Sequence, residues 1–187
     1  MIQIRKNTFE TNSSSSHSLV ITNSQKPHLT AEECINALCW DYDEDTGVWS
    51  PDFEPSKYYF DRHPFKVLRR FDDKLMFLYA NASSRYRGKT KKGWSKYYAD
   101  YYKVSNVVKK IIPGYTRVVF EGKHRPHCEA YGVFRTFKRN NIDLVEYLTI
   151  PNIIVICDGD EYQVWKDMKK LGVIATDNIK EIKFPGG

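Results

Sequence analysis

The chain has 187 residues, with 29 Lys and Arg against 23 Asp and Glu and a formal net charge of +6. Its 41% hydrophobic and 14% aromatic content can bury enough apolar surface to offset the entropy of ordering, which excludes a disordered chain, and its length suits one core, read as a single domain over 1–187. No apolar run approaches the ~20 residues that cross a bilayer, and no apolar N-terminal stretch directs export, so Cys34, Cys39, Cys128 and Cys157 are expected as free thiols in a reducing cytoplasm.

In chain order, residues 1–5 alternate as a strand, 7–18 are a polar tract, and Leu19, Val20 and Ile21 resume a strand. Thr30 with Glu33 forms a capping box that opens a short amphipathic helix over 31–40. Residues 41–55 read as a solvated acidic loop; its Asp41, Asp43, Asp45 and Asp52 have the flavour of a calcium loop, but Gly47 falls one place too late for the sharp turn. Pro64 is taken to open a core helix to about residue 80, with Val67, Leu68, Phe71, Leu75 and Leu78 at helical spacing. A polar basic linker, 81–93, leads to a helix over 94–112 that Pro113 and Gly114 end.

Beyond it come a strand-like 116–120, a mixed stretch to 139, a helix over 142–148, and an apolar strand, 153–157. A helix over 161–171, stopped by Gly172, and β-prone stretches at 173–175 and 179–184 close the pattern. The fold class this predicts is α+β, a single domain of mixed sheet and helices with room for a small α/β unit at its C-terminal end.

Charge is the most localised feature. Residues 85–110 hold nine Lys and Arg against one acid, Asp100, a local net of +8, which leaves the rest of the chain slightly acidic. On a helix, Trp94, Tyr97, Tyr98, Tyr101, Val104, Val108 and Ile111 share one stripe and predict core packing. Lysines prefer solvent, so Arg85, Arg87, Lys89, Lys91, Lys92, Lys96 and Lys103 are expected on the linker and the outer face, where they form the candidate site for nucleic acid or another anionic partner. Arg117, Arg125, Arg135, Lys138 and Arg139 extend the same charge along the chain.

A second candidate is the tract Asn12, Ser13, Ser14, Ser15, Ser16 and His17, whose hydroxyls and amides suit a phosphate-cradling ligand loop between two strands. The opening "IRKNTFETNSSSSHSLVI" resembles, over about twenty residues, the start of bacteriophage-type accessory proteins that carry a similar "NSSSSHS" tract. That resemblance implies a phage-type accessory protein in the cytoplasm of a bacterial host, taking over host functions by interfering with a nuclease or defence system, as anti-CRISPR-like inhibitors do. It brings no residue's role with it.

The third candidate is Asp158-Gly159-Asp160 after the apolar strand, an arrangement suited to a hard divalent cation. With Phe120-Glu121-Gly122 upstream, residues 116–175 resemble a Toprim module. The resemblance implies a magnesium-dependent phosphoryl-transfer enzyme, with Glu121 as general acid/base and Asp158 and Asp160 on magnesium. Pro126 and the compact spacing from Glu121 to Asp158 depart from that pattern, so the expectation is a binding protein with neither metal nor cofactor, magnesium being required only on the enzymatic alternative. A virion structural or assembly protein is the third class considered. His124, His127 and Cys128 lack a second ligand pair for zinc, and no histidine pairs by sequence with a nucleophile.

Overall fold

A computed structural model describes residues 17–22, 27–38, 40–46, 48–51, 65–84, 91–115, 117–118, 133–151, 155–158, 168, 170–171 and 179–184. In chain order the elements are β1 (His17–Thr22), α1 (Ala31–Asn36), β2 (Trp40–Asp43), β3 (Val48–Pro51), β4 (Phe65–Leu68) and α2 (Phe71–Ser84). There follow α3 (Lys91–Ile111), β5 (Arg117–Val118), α4 (Val133–Arg139), α5 (Leu144–Thr149), β6 (Val155–Asp158) and β7 (Ile179–Phe184). The class is mixed α+β.

Four strands form an antiparallel sheet in the order β4-β6-β1-β7, and three form a second sheet, β2-β3-β5, in which β3 and β5 run parallel. The C-terminal strands therefore make no sheet of their own: β6 and β7 flank β1 on either side. Ile21 and Leu68 both stand opposite Val155 in one row of the larger sheet, and both belong to the main core cluster with α2, α3, α4 and α5. Val20, the next residue on the other face of β1, is also fully buried, so this strand is covered on both sides, as strands in the middle of a layered fold are.

The structure shifts several expected boundaries, each for a local reason. Residues 65–68 are a strand, paired with β6, and the helix starts only at Phe71. The acidic loop is a hairpin: β2 and β3 pair, and Asp43 Oδ1 accepts from the backbone N–H of Asp45 at 2.9 Å and of Thr46 at 3.2 Å. The Thr46 side chain first, then these backbone bonds, hold the Asp43 carboxyl below its ordinary value and give it a turn-forming role. Helix α1 has the expected capping box but ends at Asn36, because Trp40 is taken into β2. Residues 133–139, expected as mixed, are α4, while α5 begins after Asp143, whose carboxylate caps the N–H groups of Val145 and Glu146. The expected strand 1–5, helix 161–171 and stretch 173–175 lie wholly or largely outside the described residues.

Candidate nucleic-acid interface

Helix α3 runs for 21 residues, with Gly93 in its first turn and no proline or glycine from Trp94 to Ile112 to interrupt the rest. Pro113 and Gly114 then stop it, Gly114 with φ +86°, a conformation only glycine adopts without strain. Val104, Ser105, Val108 and Ile111 are buried and Tyr101 is half-buried, so the inward stripe predicted from the sequence holds from Tyr101 onward. The opposite face is exposed: Tyr102, Lys103, Asn106, Lys109 and Lys110.

The inward side is braced by hydroxyls. Tyr79 on α2 bonds Ser105 at 3.1 Å and Tyr115 at 2.7 Å, all buried. Burial drives both tyrosine hydroxyls strongly upward, so they stay protonated and shared. The Tyr101 ring packs on Tyr79 with centroids 5.5 Å apart and meets Tyr102 nearly edge-on at 5.8 Å. A helix held at one face by aromatic packing and a shared hydroxyl network presents its outer face at a fixed orientation.

Helix α4 enlarges that face. It buries Val133, Phe134 and Phe137 and exposes Arg135, Lys138 and Arg139. The Lys103 ammonium lies over the Phe134 ring, 5.4 Å from its centroid, which ties the two helices at their basic sides. Lys138 follows Phe134 by one helical turn and so stands beside the covered ring. Neither α4 nor the α3 residues from Tyr102 onward contain an acid, and among the described residues none of these six cations pairs with a carboxylate. Basic side chains without carboxylate partners, on a helix that also carries an exposed aromatic, are suited to phosphates and bases.

Of the residues proposed from sequence, Lys103 is placed on this face, and Lys91, Lys92 and Lys96 lie in the first turns of α3. Arg85, Arg87 and Lys89 lie outside the described residues, as do Asn12, Ser13, Ser14, Ser15 and Ser16, while His17 opens β1 opposite Phe184. Glu121 and Asp160 are likewise outside the described residues. Asp158, expected just after the apolar strand, is the last residue of β6, paired with Ser18 and Phe65. Because β6 lies between two antiparallel neighbours, Asp158 does not stand at the carboxyl edge of a parallel sheet, where sites of α/β folds collect. The strand preceding Glu121, β5, belongs to the other sheet.

Sequence reasoning missed a buried polar cluster joining α1, α2 and α5. Lys74 on α2 is fully buried, and its ammonium donates to the Ile150 carbonyl at 2.9 Å. Desolvation pulls its pKa down to about 8, partly opposed by Cys34, whose own buried thiol is pushed up to about 11. Nearby, His28 Nδ1 and Thr149 Oγ1 share a hydrogen bond of 2.7 Å, and the Leu29 N–H donates to the Thr149 carbonyl. A thiol held protonated by burial is a poor nucleophile, so this cluster reads as a structural lock. Among the described residues no group of three or more His, Cys, Asp or Glu is arranged to hold a metal ion, and no helix is long and apolar enough to cross a membrane.

Comparison with protein-family models, with curated proteins and with solved structures finds no match.

Proposed function

We propose that this chain is a phage-type accessory protein that binds nucleic acid or a nucleoprotein complex through the basic face of α3 and α4. The observation that carries the reading is the exposed set Lys103, Lys109, Lys110, Arg135, Lys138 and Arg139, which among the described residues forms no ion pair, with the exposed Tyr102 on the same helix as the first three. Cations without a carboxylate beside them gain no ion-pair stabilisation within the fold, whereas binding to phosphates releases the counterions of the nucleic acid and makes such a surface bind. The resemblance of the serine-rich opening to phage accessory proteins supports interference with a host nuclease or defence complex in the bacterial cytoplasm as the form this binding takes.

The test is the salt dependence of binding to DNA and RNA. Replacing Lys103, Lys109 and Lys110 by Ala should weaken binding and flatten the slope of log affinity against log salt by roughly 0.7–0.9 for each phosphate no longer neutralised. The change of Lys89, Lys91, Lys92 and Lys96 to Ala probes the N-terminal half of the same segment. Unchanged affinity and slope in both variants would remove the proposal. An affinity pull-down from host extract, with and without nuclease, then separates a protein partner from one bridged by nucleic acid.

A further inference from the structure

We infer that the ligand of this face is single-stranded nucleic acid, with one base stacked on the Tyr102 ring; the inference rests on reading the face as a nucleic-acid interface. Tyr102 is 58% exposed. The exposed part of that ring forgoes favourable burial, and the neighbouring positions show that α3 has apolar sites to offer: Tyr101, the preceding residue, is half-buried against Tyr79. Tyr102 instead stands at the N-terminal end of a stripe that continues through Asn106 to Lys109 and Lys110, with Lys103 beside it.

At 1.5 Å per residue, Tyr102 to Lys110 spans roughly 12 Å of helix, room for a few nucleotides of one strand. Lys109 and Lys110 lie along that length to meet phosphates. The near-perpendicular contact with Tyr101 fixes the orientation of the Tyr102 ring, which reduces the entropy lost when a base stacks on it.

The charges alone would serve a duplex equally well. The tyrosine makes the difference, because in a duplex the base faces are already stacked on one another and an aromatic side chain outside the grooves gains nothing from them. In a single strand each base has a free face, and stacking of one base on an aromatic residue is sequence-tolerant. Asn106, one turn from Tyr102, adds an amide that can donate to and accept from the edge of an unstacked base.

The experiment measures fluorescence anisotropy of labelled oligo(dT), oligo(U) and a dA·dT duplex, each of about 16 nucleotides per strand, against the wild type, Tyr102→Ala and Tyr102→Phe. The expected result is tighter binding of the single strands than of the duplex. Tyr102→Ala should lose roughly 5- to 100-fold on the single strands and little on the duplex, while Tyr102→Phe keeps most of the affinity. Duplex binding as tight as single-strand binding, or Tyr102→Ala within twofold of wild type on all ligands, overturns this inference while leaving salt-dependent binding through the lysines in place. No binding to any of the three at low salt overturns both. Melting curves of both variants, read at the assay temperature, show whether the fold is kept, and a loss of binding by a folded variant reads on the ligand.

Discussion

Lys74 allows a pH prediction whose sign follows from its burial. The side chain is 0% exposed, and desolvation lowers its pKa from 10.5 to about 8. Below about pH 8 both folded and unfolded states are protonated, and the full penalty of holding a buried ammonium, on the order of 3 kcal/mol, is present. Between about pH 8 and 10.5 the unfolded chain keeps the proton that the folded one has released, so stability rises with pH through that window. From pH 8 to pH 9 the gain works out at about 1 kcal/mol.

Cys34 acts in the opposite direction: its thiol ionises near 9.0 when unfolded and at about 11 when folded, because of burial first and the Glu33 charge second. It therefore removes stability as pH rises from about 9 to 11, and by pH 9 takes back less than about half of the Lys74 gain. Tyr79 and Tyr115, raised by burial, add to the loss above pH 10.

Urea unfolding free energies should thus climb between pH 8 and pH 9 and decline above 10. The Lys74→Met variant should lose the climb, and at neutral pH should lie between neutral and about 2 kcal/mol more stable, since relief of the charge is offset by a carbonyl at Ile150 left without its donor. Parallel wild-type and Lys74→Met profiles from pH 7 to 9 would refute the reasoning.

Removing the shared hydroxyl in Tyr79→Phe should cost about 1–3 kcal/mol in chemical denaturation, because Ser105 and Tyr115 then each lose a buried partner, and the cycle with Tyr115→Phe should be strongly non-additive. Asp143→Ala removes the carboxylate that caps two N–H groups of α5 and should cost roughly 1 kcal/mol, a melting shift of about 2–4 °C. Gly114→Ala meets no neighbouring atom, so any destabilisation it shows, expected near 1 kcal/mol in the same assay, comes from the φ of +86° alone.

The elements legible in the sequence are those whose own residues decide them. The Thr30–Glu33 box, the unbroken run of α3 with its Pro113-Gly114 stop, and the strand patterns of β1, β6 and β7 all appear near their expected places. Residues 64–80 mislead because Val67 and Leu68 keep helical spacing with Phe71 and Leu75, although a stretch as short as Phe65–Leu68 fits either period. Pairing of Phe65–Leu68 with β6, about ninety positions away, settles it, and no local window contains that information. The β2–β3 hairpin is hidden by a turn built on an Asp43 side chain in place of a glycine pair. At the candidate interface Lys103 is legible from charge and period, whereas the role of α4 depends on where Phe134 sits under its ammonium. Nothing in the sequence links Lys74 with Cys34, which lie forty positions apart on two helices.

The placement of β1 between β6 and β7 has a consequence for biosynthesis. Both neighbours of this strand are encoded in the last third of the chain: Ile21 pairs with Val155 on one side and Lys180 on the other. At ~5–20 residues per second, roughly ten to thirty seconds separate the synthesis of β1 from that of its second partner. During that interval the strand has backbone groups and apolar residues such as Val20 and Ile21 with no sheet to enter. The α2–α3 pair, by contrast, is adjacent in sequence and can associate while the ribosome is still at work. Sheet closure is then the late event, waiting on β7, and a ribosome stalled before Ile179 would leave one edge of β1 open to pairing with another chain.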